Sequence, residues 1–201
     1  MKFNTIVSVD PGLAGGLSLF INNQLMSCIS MPTNKVETKP ARYKFDLLNG
    51  KKQFIKSGPN KGQAKKTQIS AAKYDLNLDL NEIKDFFTFS EPEKVAIILE
   101  APAMSFGNSA SSTATTNQNF GKLLAVAELC KLNIFTVPPH KWKKDLNLTK
   151  DKEQWVKYAE QLFNKSFRTQ RNSLIDGQAE SALIGHWFIQ SDHNSDTEVT
   201  N

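Results

Sequence analysis

Residues 7–16 read VSVDPGLAGG, and how this stretch folds decides how the chain begins. TIVSV at residues 5–9 has the composition of a strand, and GLSLFI at residues 16–21 resumes one after a turn built on Pro and Gly. Asp10 ends the first strand abruptly and is followed by Pro11, Gly12 and the pair Gly15 and Gly16. A charge at that point either shapes the turn or holds something that needs a carboxylate, such as a metal or a phosphate-bound ion. The Asn pair in INNQ, residues 21–24, is a second hairpin signal, and LMSCISM at residues 25–31 completes three antiparallel strands.

Further along, KVAIILE at residues 94–100 is an unbroken apolar run of the kind a parallel strand covered on both faces requires, and it too ends in an acid, Glu100. Before it, LNLDLNEIKDFFTF at residues 76–89 keeps a helical period through Leu80, Ile83, Phe86 and Phe87. After it, APAMSFGNSASSTATTNQ reads as a polar loop leading to a helix, FGKLLAVAELCKL, with Phe120, Leu123, Leu124, Ala127 and Cys130 on one face. NIFTVPP at residues 133–139 is the next strand, and HKWKKDLNL is a basic turn. The following helix has a capping box in Asp151 and Gln154 and an apolar face of Trp155, Tyr158, Leu162 and Phe163. A last helix covers about residues 173–190, and residues 191–201 form a polar tail. Hairpin strands followed by alternating helices and strands imply a mixed α/β sheet with helices on both sides.

The 201 residues suit one domain, expected over residues 1–190 with an insertion at about 34–75. That insertion holds 11 of the 25 Lys and Arg but 3 of the 20 Asp and Glu, so it carries +8 while the rest of the chain carries −3. Its Asn49-Gly50 turn signal and its Gly, Pro and Lys content predict a mobile basic hairpin or loop outside the core. Lys51, Lys52, Lys56, Lys61, Lys65 and Lys66 are its candidate contacts to a polyanion, the alternative being a merely solvated loop. Cys28 and Cys130 lie far apart without metal-ligand spacing, which argues against a disulfide framework or a zinc site and for two buried thiols. No secretion signal and no membrane-spanning run is evident, so the expected location is cytoplasmic.

The strand-end acids are informative as a pair. Ligands of open α/β sheets collect at the carboxyl ends of the strands, so Asp10 and Glu100 would face one site if their strands are neighbours. A charge directly after the apolar residues AIIL costs several kcal/mol unless compensated, and a cation is one compensation. In IDGQAES, residues 175–181, Asp176 and Glu180 stand four apart on one face of an otherwise apolar helix, where like charges repel unless bridged or screened. Oxygen ligands without Cys or clustered His suit Mg²⁺, or Mn²⁺ in its place, rather than zinc. Two such ions about 4 Å apart would activate a water and stabilise the leaving 3′ oxygen in phosphodiester hydrolysis. The metals and lysines together would offset the acids before a phosphate could enter.

Taken in order, these motifs resemble the RuvC-like Holliday junction resolvases, a branch of the ribonuclease H-like fold. VSVDPGLAGGLSLF is similar to the family's first strand and turn, with Asp10 in the place of its first metal-binding acid, and VAIILEAP to the strand carrying the second, Glu100. The FGKL helix start is also similar. VPPHKWKKDLNLTKDKEQ resembles the family's basic turn and next helix, with Lys152 matching a lysine near the scissile phosphate, and IDGQAESALIG its last acidic motif, with Asp176 as ligand. Bacterial members space the final two acids three apart; the spacing of four here is similar to phage-type relatives and leaves open whether Glu180 is also a ligand. The resemblance covers most of the chain outside residues 34–75 and the tail. It implies a five-stranded sheet, three antiparallel strands then parallel ones, flanked by helices. It also implies a homodimer that acts on branched DNA, placing paired nicks that leave 5′-phosphate and 3′-hydroxyl ends.

Several residues carry two readings each. His140, Lys141, Lys143 and Lys144 are candidate phosphate contacts, or a solvated basic turn with Trp142 packed beneath. Ser109 to Asn119, with Ser109 and Asn117 foremost, would hydrogen-bond DNA, or form an ordinary loop. Phe106 would wedge at a branch point, or anchor the loop to the core. His186 reads as a core histidine with its polar atoms satisfied. Competing functions are a sugar kinase or ATPase of the actin-like class, which needs a larger chain with a second Asp-Gly hairpin, a ribonuclease H-type or flap-cutting nuclease, and a branched-DNA binding protein without catalysis.

Overall fold

Alternate residues of β1 (Thr5–Asp10) serve two separate cores. Val7 and Val9 join Leu17, Ile97, Leu99 and Leu123 on one face, and Ile6 joins Phe20, Ile98, Leu183 and Phe188 on the other. The computed structural model describes residues 3–39, 42–45, 47–48, 51–57, 59–71, 73–102 and 110–191.

β1 pairs antiparallel with β2 (Gly16–Ile21), which pairs antiparallel with β3 (Gln24–Ser30). Asn22 and Asn23, both at positive φ, make the turn that the sequence signals. On its other side β1 pairs parallel with β10 (Val95–Glu100), and β10 pairs parallel with β11 (Asn133–Val137). The sheet order β3-β2-β1-β10-β11 is the ribonuclease H-like arrangement, three antiparallel strands and then parallel ones. Every residue of β10 is buried, as its unbroken apolar run predicts.

Among the described residues five α-helices cover the sheet. α1 (Leu80–Phe86) and α2 (Ala110–Leu129) lie on the Val7 face; α3 (Pro139–Asp145), α4 (Lys152–Phe163) and α5 (Asp176–Gln190) contribute to the opposite core. α1 starts later than its period suggests, because Asp79 accepts from the backbone N–H groups of Asn81 and Glu82 at 3.1 and 3.2 Å and so caps it, leaving residues 76–78 to a strand. α2 begins about three turns earlier than expected, so much of the predicted polar loop is helix. Its Ser, Thr and Asn residues hid a helix whose early turns are largely exposed. The predicted basic turn is α3, with Pro139 at its first position, where the missing N–H costs nothing. Asp151 caps α4 through the Glu153 N–H at 3.0 Å, but Gln154 accepts from the Thr149 hydroxyl at 2.7 Å and closes no capping box. The buried face of α4 is Trp155, Val156 and Ala159, while Leu162 is exposed.

The chain divides into two compact units, Met1–Thr33 with Leu78–Asn201, and Asn34–Asn77. In the second, β4 (Thr33–Lys39) pairs with β9 (Lys73–Leu78), β5 (Arg42–Phe45) with β8 (Lys66–Ser70), and β6 (Leu47–Leu48) with β7 (Lys51–Lys52), with a bridge between Phe54 and Ala64. The hairpin half of the expectation fits this nested ladder, and the loop half does not. Thr, Val and Tyr among the lysines supply the strand preference that the charge concealed. The Asn49-Gly50 turn, Phe106 and Ser109 lie outside the described residues. Cys28 is buried and Cys130 only partly so; both are free thiols. Among the described residues no helix is long and apolar enough to cross a membrane.

Candidate active site

The register of two strands brings the first two acids together. Val9 lies opposite Leu99 in the parallel pair, so the next residues, Asp10 and Glu100, emerge side by side at the same strand ends. Glycine brings the third element in. A Cβ added to Gly177 would lie 2.1 Å from the Ala14 carbonyl oxygen, and one on Gly16 would lie 2.6 Å from that of Gly177. The β1–β2 turn and the first turn of α5 therefore touch backbone to backbone, which brings Glu180 within electrostatic reach of Asp10. Gly16 is bare so that α5 can pack against the turn, and Gly15 because a Cβ there would lie 2.1 Å from the Asp10 carbonyl oxygen across the tight turn itself. Gly12 meets no such restriction, since a Cβ there would stand 3.6 Å from Asp10 Oδ1.

The electrostatics of the cluster are unbalanced toward negative charge. Burial, reinforced by Glu180 and Glu100, pushes the Asp10 carboxyl up to about 7 from its ordinary 3.8, although the Gly12 N–H and Lys143 favour the charged form. Glu100 is also pushed up by burial, opposed by the Trp142 indole N–H, which donates to Oε1 at 3.0 Å, and by Lys143. Lys143 Nζ sits 3.0 Å from Glu180 Oε2 and lies over the rings of Trp155 and Trp142, at 4.3 and 4.9 Å from their centroids. Trp187 fixes α3 in place by donating to Asp145 Oδ2 at 2.8 Å. Lys152 pairs with Asp176, which holds its ammonium above the usual lysine value, and Glu180 and Asp10 add in the same sense.

Asp10, Glu100, Glu180 and Lys143 thus form one interacting group, with the Asp176–Lys152 pair at its border. Among the described residues no three carboxylate, imidazole or thiol groups converge on a single point. Glu180 turns to Lys143, Asp176 to Lys152 and Glu100 to Trp142. The donor set is nevertheless that of a hard cation: four carboxylates, and a half-buried Asp10 whose raised affinity for a proton marks uncompensated negative charge.

Other predicted residues fall elsewhere. Lys141 and Lys144 are exposed on α3, with Lys141 Nζ 3.8 Å from Asp145. Asn117 is exposed on α2. Lys51, Lys52, Lys56, Lys61, Lys65 and Lys66 are exposed within the Asn34–Asn77 unit. His186 is half-buried, edge-on to Phe163 at 6.0 Å; among the described residues its imidazole has no hydrogen-bond partner, so it is not the satisfied core histidine expected. Burial alone lowers its affinity for a proton. Sequence reasoning took Trp142 and Trp155 for packing and missed their polar roles. Two tryptophans flanking a run of lysines were the available signal.

No family model matches the chain, and no curated protein matches it. Among solved structures it is similar to Thermus thermophilus RuvC in complex with a Holliday junction substrate, at 11% identity over 91% of each chain and a TM-score of 0.46. It is similar also to a second Thermus thermophilus RuvC structure, at 12% identity over 91% of this chain and 92% of that one, with a TM-score of 0.45. At those TM-scores the likeness carries no argument, and the fold rests on the strand order.

Proposed function

We propose that this chain is a RuvC-like, phage-type junction resolvase: a divalent-metal-dependent endonuclease that cuts four-way and other branched DNA by phosphodiester hydrolysis. The observation that supports the reading is the emergence of Asp10 and Glu100 side by side at the ends of two adjacent parallel strands, with Glu180 of α5, its partner Lys143 and the Asp176–Lys152 pair nearby.

In this reading Asp10, Glu100 and Asp176 hold the cation, Mg²⁺ or Mn²⁺ and two ions when full, with Glu180 as a further ligand once Lys143 releases it. The bound metal supplies an activated water and charge stabilisation at the leaving 3′ oxygen. Trp142 orients Glu100 by its indole N–H. Lys152 leaves Asp176 for the scissile phosphate, a short move for an exposed side chain. Lys141, Lys144 and the lysines of the Asn34–Asn77 unit bind backbone phosphates. A homodimer placing two such sites would make paired nicks with 5′-phosphate and 3′-hydroxyl ends, acting in the cytoplasm of a bacterial or phage-infected cell.

Incubation with a four-way junction, a flap, a linear duplex and an RNA–DNA hybrid, in Mg²⁺ and in EDTA, tests the reading. Mg²⁺-dependent cutting of the junction ahead of the other three is expected. Preference for the hybrid or the flap would move the assignment to a ribonuclease H-type or flap nuclease, and binding without cutting would leave a branched-DNA binding protein.

A further inference from the structure

A cavity of about 310 Å³ opens beside the acids, lined among the described residues by Gly12 and Leu13 of the β1–β2 turn and Thr115, Thr116 and Asn119 of α2. Gly12 is the wall it shares with the candidate active site, since its backbone N–H donates to Asp10 Oδ1 at 3.3 Å. Asn119 is only 4% exposed, and among the described residues its side-chain amide has no hydrogen-bond partner. Buried amides are nearly always paired, and leaving both a donor and an acceptor unmet is costly when an apolar side chain would fill the place without that cost. With no partner among the described residues, the amide is available to a ligand that enters the cavity.

The chemistry of the lining selects the ligand. No cationic side chain lines the cavity among the described residues, so nothing there favours a charged phosphate over an uncharged ligand. Thr methyl groups and Leu13 offer apolar contact, while the amide offers an adjacent donor and acceptor, the pairing that reads the edge of a base. Taking a base out of the stack costs about a few kcal/mol, least where the base is already unpaired. We infer that this cavity receives one unstacked nucleobase of the strand being cut, next to the scissile phosphate, and that Asn119 reads its edge and sets which sequence is cleaved. The inference rests on the nuclease reading above and names the part of the DNA that the site selects.

The test uses four-way junctions carrying a single 2-aminopurine at successive positions around the branch, bound by the whole protein in EDTA. At one position fluorescence should rise several-fold, because no aromatic ring lines the cavity among the described residues to stack on the probe. Asn119→Ala and Asn119→Leu should lose sequence discrimination in Mg²⁺, measured as cutting of junctions randomised at that position. Wild type should favour one base there by roughly five-fold or more, and both variants should cut all four alike. Both variants should melt at or above the wild-type temperature, since each removes an unpaired buried amide; a lower melting temperature would make Asn119 structural and overturn the inference. An unchanged base preference in the variants, or no fluorescence response at any position, would also overturn it. A fluorescence response from a protein that cuts no DNA would support the cavity and overturn the nuclease reading instead.

Discussion

At the scale of residues, Asp10 carries an electrostatic cost that comes first from its burial. Its carboxyl ordinarily loses a proton near 3.8, but in the folded protein it does so near 7. Between those values the folded state binds more protons than the unfolded state, so stability falls as pH rises from about 4 to about 7 and levels off above. Asn keeps the oxygen that accepts from the Gly12 N–H and removes the charge. Asp10→Asn should therefore raise stability at pH 8 in EDTA by on the order of 2–4 kcal/mol and change it little at pH 4, as read by urea unfolding. Mg²⁺ should stabilise the wild type at pH 8 and the variant much less. An Asp10→Asn protein no more stable than wild type at pH 8 would mean that the cluster is not under charge strain. Asp10, Glu100 and Asp176 were legible because each interrupts an apolar or ordered run. The link from Trp142 to Glu100 and that from Lys143 to Glu180 span 42 and 37 residues, and no local pattern encodes them.

At the scale of elements, the site depends on how closely the β1–β2 turn meets α5. Gly177→Ala puts a methyl group where the Ala14 carbonyl already stands, so the helix must move away from Asp10. The expected loss is about 2–3 kcal/mol in chemical denaturation, with cleavage falling further than stability alone would explain. Gly121→Ala is the control, since a Cβ there meets nothing within 4 Å. It should stabilise α2 by roughly 0.5–1 kcal/mol and leave cleavage unchanged. Equal effects from the two substitutions would show that the glycine contact does not position the acids. The strands of the sheet were readable from their apolar runs and turn residues. α2 and α3 were misread because Ser, Thr, Asn and Pro weigh against helix locally, while the exposed early turns of α2 and the Pro138–Pro139 start of α3 accommodate them.

Across the whole molecule, charge is segregated: the strongly basic stretch falls in the Asn34–Asn77 unit, and the acids of the site lie in the other. Composition revealed that asymmetry but not the strand ladder that presents it, because the lysines interrupt the alternation that marks a strand. Deleting residues 40–66 removes eight Lys and Arg while sparing the outer β4–β9 pair. Junction affinity should fall, and the slope of log affinity against log salt should flatten by about 0.9 for each phosphate that the shortened chain no longer neutralises. An unchanged slope would make the unit a bystander in DNA binding.

The most direct test compares wild type with Asp10→Asn on a synthetic four-way junction in Mg²⁺, following binding and cleavage in the same samples. Wild type should cut the junction and stop in EDTA, while Asp10→Asn should bind it with similar affinity and leave it intact. Cleavage retained by Asp10→Asn would contradict the assignment of these acids as the catalytic metal site.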